Sequence, residues 1–171
     1  MIDEALIVAR LIHILGGVFW VGAMIFVTEF LVPSIGEAGP DGAKVMAGIA
    51  RRKFMQIMPV VAALTILSGI YLYSRVSDGF EVGYMKSWPG HVYAIAGGLT
   101  VVAFILGITI TRPAMIKAAA LAQAVATAPA GERESMLAQA QALRVRGSKV
   151  GRVVVFLLVV ATVGMAIGRY L

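Results

Sequence analysis

Hydrophobic and polar positions alternate along this chain in blocks of about 20 residues rather than residue by residue. The apolar blocks cover residues 11–32, 54–73, 90–111 and 153–170. At roughly 1.5 Å of rise per residue, each block is long enough for a helix to cross the hydrocarbon core of a bilayer. The pattern therefore predicts an all-α membrane protein, a four-transmembrane-helix bundle formed by a single domain over residues 1–171.

The polar blocks between the spans carry helix and turn signals of their own. Pro33 and the glycines after it are expected to end the first span. Residues 41–53 show helical spacing of apolar side chains, which predicts a short amphipathic helix on the membrane surface. Residues 113–151 contain strong helix formers on both sides of Pro129. They predict a cytoplasmic helical hairpin that extends helices three and four beyond the membrane.

The composition excludes an ordinary soluble domain. The chain is 60% hydrophobic and only 14% charged, with a mean hydropathy of +0.89. Soluble domains are about half apolar and about a quarter charged. The absence of cysteine excludes disulfides and thiolate metal sites. The net charge of +6 follows the membrane topology, so we expect a lipid bilayer and no nucleic acid as a partner.

Lysines and arginines fall mostly on one side of the four predicted spans. Of the 15, the termini and the 74–89 loop carry Arg10, Arg75, Lys86 and Arg169, and the remaining 11 lie in residues 33–53 and 112–152. Loops that face the cytoplasm carry the excess of basic residues. We therefore expect a multi-pass protein of the bacterial plasma (inner) membrane. Both termini would be outside, and the two basic segments would be cytoplasmic.

The two histidines of the chain lie within or beside apolar spans. His13 comes one turn after Arg10 in the first span, and His91 follows Pro89 at the start of the third. Both spans enter from the same side, so the two imidazoles are expected at similar depth near the outer boundary. An ionisable group at membrane depth costs at least about 2.5 kcal/mol, so it indicates function by default.

Helical spacing places a glycine on the face of each histidine: Gly17 with His13, and Gly98 with His91. Glycines leave room for a flat macrocycle, so the pattern predicts a haem b held by an imidazole on each side. Trp20 would pack on the ring, and Arg10, with Arg75 or Lys86, would bind the propionates. The candidate metal ligands are His13 and His91. The further cofactor-binding residues are Arg10, Gly17, Trp20 and Gly98, and no catalytic residue is assigned.

The leading hypothesis is a redox protein that passes electrons to or from a quinone or a partner protein, or that acts as a small oxidoreductase. Imidazole also suits copper, so the same histidines could instead hold a copper ion. Each histidine alone is equally consistent with a packing or hydrogen-bonding role. The GxxxG face at Gly164–Gly168 and the basic hairpin would suit a homo-oligomer or a non-catalytic subunit of a larger membrane complex.

Three short segments resemble known membrane-protein families. Residues 11–22, LIHILGGVFWVG, resemble the first helix of copper-resistance D (CopD) type proteins and of HemJ-type protoporphyrinogen oxidases. In those families a histidine is followed seven residues later by tryptophan and then by glycine. Residues 51–73, RRKFMQIMPVVAALTILSGIYLY, are similar to the second HemJ helix. The segment 88–91, WPGH, resembles the entry to the third HemJ helix.

This resemblance implies a haem-b-binding or copper-handling membrane protein, with His13 and His91 at the matching positions. The chain departs from the HemJ pattern at Tyr93, since that family has a lysine shortly after the helix-three histidine. It also lacks a later histidine of that family. The resemblance therefore implies a haem-binding scaffold more than protoporphyrinogen oxidase activity.

Overall fold

The computed structural model describes residues 3–171, so the first two residues of the predicted domain lie outside the described part. The described residues form helices joined by short connections, without a β-strand. The helices are α1 (Glu4–Glu37), α2 (Gly42–Arg51), α3 (Phe54–Val76), α4 (Val82–Met85), α5 (Trp88–Ala124) and α6 (Ala130–Tyr170).

Four of these helices, α1, α3, α5 and α6, are long and apolar enough to cross a membrane. The predicted all-α fold with four candidate spans is therefore confirmed. Helices α5 and α6 continue beyond their apolar parts and are joined by a turn at residues 125–129, so they form the helical hairpin that the sequence predicts. Asp3 begins the fold by capping α1, since its carboxylate accepts a hydrogen bond from the Leu6 amide at 3.0 Å.

The four long helices pack as a ring in the order α1, α3, α5, α6, so α1 and α5 lie across a diagonal. We call the end with the start of α1, the end of α6 and the α3–α5 connection the terminal end. The opposite end, with α2 and the 125–129 turn, is the hairpin end. The core between them is formed by buried side chains from all four helices: Trp20, Met58, Ala62, Ala103, Val154 and Leu158.

Small residues let α5 and α6 approach closely at the terminal end. A Cβ atom built at Gly164 would come 3.2 Å from the Cβ of Ala96, and one built at Gly168 would come 2.8 Å from Cε1 of Tyr93. The GxxxG face therefore contacts α5 of the same chain. Docking of another subunit on this face stays a prediction.

Pro33 and Pro113 each lie just after a widened, π-helical turn. These turns cover Phe26–Leu31 and Gly107–Thr111. In a regular α-helix, proline lacks the donor N–H and its ring collides with the carbonyl four residues earlier, and a π turn absorbs such an interruption locally. The helix therefore continues through Pro33 and ends at Glu37, beside the glycines that the sequence also predicts to end it.

Pro59 interrupts α3 in a different way. Its missing N–H leaves the carbonyl of Met55 without the usual intrahelical donor. The Arg112 side chain on α5 replaces that donor, with Nε 2.9 Å from the Met55 oxygen. A cation of one helix thus satisfies a backbone group of its neighbour, and this bond ties α3 to α5 at the hairpin end.

The short helix that the sequence predicts within residues 41–53 is present as α2. It begins where Gly42 packs directly against the carbonyl of Ile35 near the end of α1, a contact that any larger residue would block. After α2, Lys53 takes a left-handed conformation with φ 57°, and the chain turns there into α3.

Candidate functional site

His13 lies on α1 against α3. Its Nδ1 is 2.8 Å from the carbonyl oxygen of Thr65. Because a carbonyl oxygen only accepts, Nδ1 carries a proton and donates it, and in the neutral imidazole the lone pair then lies on Nε2. Gly69 lies beside the ring, and a Cβ atom built there would come 2.7 Å from Cε1 of His13. The half-buried ring is therefore held in one orientation by α3.

Gly17 and Trp20 extend this face of α1 toward the core. Trp20 comes two turns after His13, is 4% exposed and meets Phe104 of α5 edge to face, with 6.4 Å between the ring centroids. A Cβ atom built at Gly17 would lie 3.8 Å from the methyl group of Thr65. The structure thus places His13, Gly17 and Trp20 along one inward face, as their spacing predicts, whereas Arg10, the fourth candidate on α1, is exposed.

His91 lies in the first turn of α5 and is exposed. Its Nδ1 is 2.9 Å from the carbonyl oxygen of Ser87, so this ring also donates from Nδ1 and keeps Nε2 free. Gly98, two turns along the same helix, is exposed as well, and a Cβ atom built there would meet nothing within 4 Å. The buried residues of this part of α5 are different ones: Gly90, Ala96 and Ala103.

His13 and His91 make separate contacts. Their helices lie across the diagonal of the bundle, the His13 ring contacts α3, and the His91 ring is bonded to the start of its own helix. In residues 3–171, no group of three or more His, Cys, Asp or Glu side chains could hold a metal ion. Each histidine offers only its own Nε2, and ligation of one haem or copper ion by the pair stays a prediction.

The cations proposed for propionates have separate positions at the terminal end. Arg75 forms an ion pair with Asp3, with Nη2 2.7 Å from Oδ2, and this bond ties the end of α3 to the start of α1. Lys86 is exposed just before α5. Arg10 is exposed one turn before His13 and has no ion pair among the described residues.

A smaller cavity of about 100 Å³ lies in the hairpin half of the bundle, and neither histidine lines it. Trp20 and Phe104 form part of its wall, together with methionines from three helices. Thr111, at the end of the second π turn, also lines it, and its buried hydroxyl has no hydrogen-bond partner among the described residues. Sequence reasoning missed this cavity.

Comparisons with known proteins give no relative for this chain. No protein-family model matches it, no curated protein matches it, and no solved structure matches it. The functional conclusion therefore depends on the geometry of the chain's own residues.

Proposed function

We propose that this chain is a multi-pass membrane protein that binds a b-type haem and transfers single electrons near its terminal end. The observation that carries the proposal is the hydrogen bond from Nδ1 of His13 to Thr65, which leaves Nε2 free. Histidines that bind metals almost always donate their other ring nitrogen to a carboxylate, a backbone carbonyl or water, which fixes the ring and raises its basicity. His13 has this arrangement already in the protein alone.

The residues around His13 would supply one iron ligand and one anchoring cation. Nε2 of His13 would bind the iron, and the guanidinium of Arg10 would bind a propionate through charge-assisted hydrogen bonds. Haem supplies reversible one-electron chemistry when it is bound. His91 is proposed as the second ligand because its Nε2 is also free. Because His91 is exposed, the experiment below tests its role as a ligand separately from the role of His13.

The orientation of the chain is part of the same proposal. The hairpin end, with α2 and the α5–α6 turn, carries most of the lysines and arginines, and such segments remain in the cytoplasm. The terminal end would then face the outside of a bacterial plasma membrane. A haem on His13 would exchange electrons there with a quinone in the bilayer or with a partner protein.

Protein produced with added haem and purified in detergent tests this proposal. A reduced-minus-oxidised difference spectrum, with iron and copper analysis, is recorded for the wild type and for His13→Ala and His91→Ala. Ile12→Ala is the matched control, since it shortens the exposed neighbour of His13 and leaves the ring nitrogen in place. We expect a haem band and iron in the wild type and the control, and their loss in His13→Ala.

The other possible results either contradict the haem proposal or remove His91 from it. A wild type without a haem band, or an unchanged band in His13→Ala, contradicts the haem proposal. Copper in place of iron contradicts it as well and favours the copper alternative. An unchanged band in His91→Ala removes His91 from the ligand set while His13 remains in it.

A further inference from the structure

A second cavity, of about 320 Å³, opens at the hairpin end between α6, α5, α2 and the end of α1. We call it the basic cavity, because its α6 wall contains Arg144, Lys149 and Arg152. Arg144 and Arg152 are eight residues apart on α6, so they lie on one helix face with Ser148 between them. The cavity therefore presents cationic and hydroxyl donors along a single wall.

Most of this positive charge has no carboxylate partner. Arg152 forms a long ion pair with Glu29, with Nε 3.7 Å from Oε1, and its side chain remains 61% exposed. Within residues 3–171, neither Arg144 nor Lys149 forms an ion pair. The excess of donors and positive charge complements an anion that has several oxygen acceptors.

The basic cavity also lies at a boundary between polar and apolar surface. Its α1 and α5 walls are apolar and include Val32, Ile35 and Ala118. Immediately after Arg152, α6 continues as an apolar helix from residue 153. A bound amphiphile would therefore have its charged group beside the α6 cations and its hydrocarbon chains along the apolar helices.

We propose that the basic cavity binds the phosphodiester headgroup of an anionic phospholipid. Phosphate oxygens accept charge-assisted hydrogen bonds from arginine and lysine, and basic pockets between membrane helices bind lipid headgroups in this way. The volume of about 320 Å³ is near the lower limit of small-molecule sites, about 300–1,000 Å³, so the cavity takes the headgroup and leaves the acyl chains outside. The site is separate from both histidines and does not depend on haem.

Native mass spectrometry of the detergent-purified full chain tests this proposal. The protein is incubated with dioleoyl phosphatidylglycerol, with dioleoyl phosphatidylcholine, which has the same acyl chains and a zwitterionic headgroup, or with sodium phosphate. We expect retained phosphatidylglycerol adducts and little phosphatidylcholine. Binding of phosphatidylglycerol should weaken about tenfold or more in the double variant Arg144→Gln/Lys149→Gln, because two charge-assisted contacts are lost.

The matched control is Lys117→Gln/Arg146→Gln, which removes two exposed cations from α5 and α6 that do not line the cavity. It should leave binding within about twofold, since exposed charges contribute little. A further variant, Ala122→Phe, fills the cavity without a change of charge and should also weaken binding, with the helical content checked by circular dichroism.

Three results would overturn the proposal. The first is equal binding of phosphatidylcholine and phosphatidylglycerol. The second is displacement of phosphatidylglycerol by sodium phosphate at similar concentration, which would identify a site for the free anion. The third is an equal loss of binding in the matched control, which would indicate general attraction to a basic surface.

Discussion

Arg112 donates from Nε to the carbonyl oxygen of Met55, the group that Pro59 leaves without an intrahelical donor. The bond joins α5 to α3 in a mostly apolar part of the bundle. A buried carbonyl without any donor costs about 1–3 kcal/mol. The proline inside α3 and the arginine inside α5 are therefore a matched pair, although they lie 53 positions apart in the sequence.

A double-mutant cycle tests this pairing. We expect Arg112→Leu to lower the free energy of unfolding in detergent by about 1–3 kcal/mol, because the Met55 carbonyl loses its donor. In the Pro59→Ala background, residue 59 regains an N–H for that carbonyl, so the same change should cost less. Denaturant unfolding curves give the coupling energy between positions 59 and 112. A coupling energy of zero would show that Arg112 does not compensate for the proline.

Gly69→Ala is expected to displace the His13 ring. The new Cβ would lie 2.7 Å from Cε1 and 3.0 Å from Nδ1 of His13, so the ring must move and its bond to Thr65 weakens. Overpacking of this kind costs about 1–3 kcal/mol. Gly98→Ala is the control, since nothing lies near its Cβ and alanine favours the helix by up to about 1 kcal/mol. Thermal unfolding in detergent should separate the two variants, and equal midpoints would contradict the close contact.

Thr111→Val is expected to stabilise the protein by about 1 kcal/mol, because it removes a buried hydroxyl that has no hydrogen-bond partner among the described residues. Thr100→Val is the control. The Thr100 hydroxyl donates to the carbonyl of Ala96 at 2.7 Å, so its removal should be neutral or destabilising. Unfolding midpoints in the reverse order would mean that the Thr111 hydroxyl does have a partner, such as water in the smaller cavity.

Glu81 caps the short helix α4 and should titrate below its ordinary pKa of 4.5. Its carboxylate accepts hydrogen bonds from the amides of Gly83 and Tyr84, both at 2.7 Å, and these bonds lower the pKa of the carboxyl. The cap therefore stabilises the folded loop above the unfolded-state pKa, and this stabilisation is lost as pH falls through the lowered folded-state value.

A carbon-13 NMR titration of the glutamate carboxyl groups measures this effect. One resonance should have its midpoint below 4.5, and that resonance should be absent in Glu81→Gln, which identifies it. A midpoint at or above 4.5 for the same resonance would mean that the cap does not form in solution.

Four apolar blocks of the right length leave few alternatives to four helices in a bilayer, so the spans and the hairpin could be predicted from the sequence. Helix ends were harder to predict. Hydropathy shows which residues are apolar, whereas backbone hydrogen bonds determine the residue at which a helix ends. The first predicted span covers residues 11–32, whereas α1 runs over Glu4–Glu37. The π turns have no distinctive composition, so the continuation of α1 through Pro33 could be seen only in the structure.

The face of the helix that points into the bundle could be predicted from the sequence for α1 but not for α5. On α1, His13, Gly17 and Trp20 are the chemically distinctive residues, and their shared face is the inward one. His91 and Gly98 also share a face, but a span that is apolar all round carries no periodicity that separates inward from outward. The inward face of α5 is set by close packing between small residues of α5 and α6, which no polarity pattern reveals.

The widened turn at Phe26–Leu31 holds one residue more than a regular helix needs. Removing a single residue there would restore ordinary helical winding and leave the two halves of α1 facing as they do now. The same deletion nearer His13 would rotate everything beyond it by about 100° and turn the core side chains outward. Single-residue differences in length among natural variants of this chain should therefore accumulate at this turn and at its counterpart in α5.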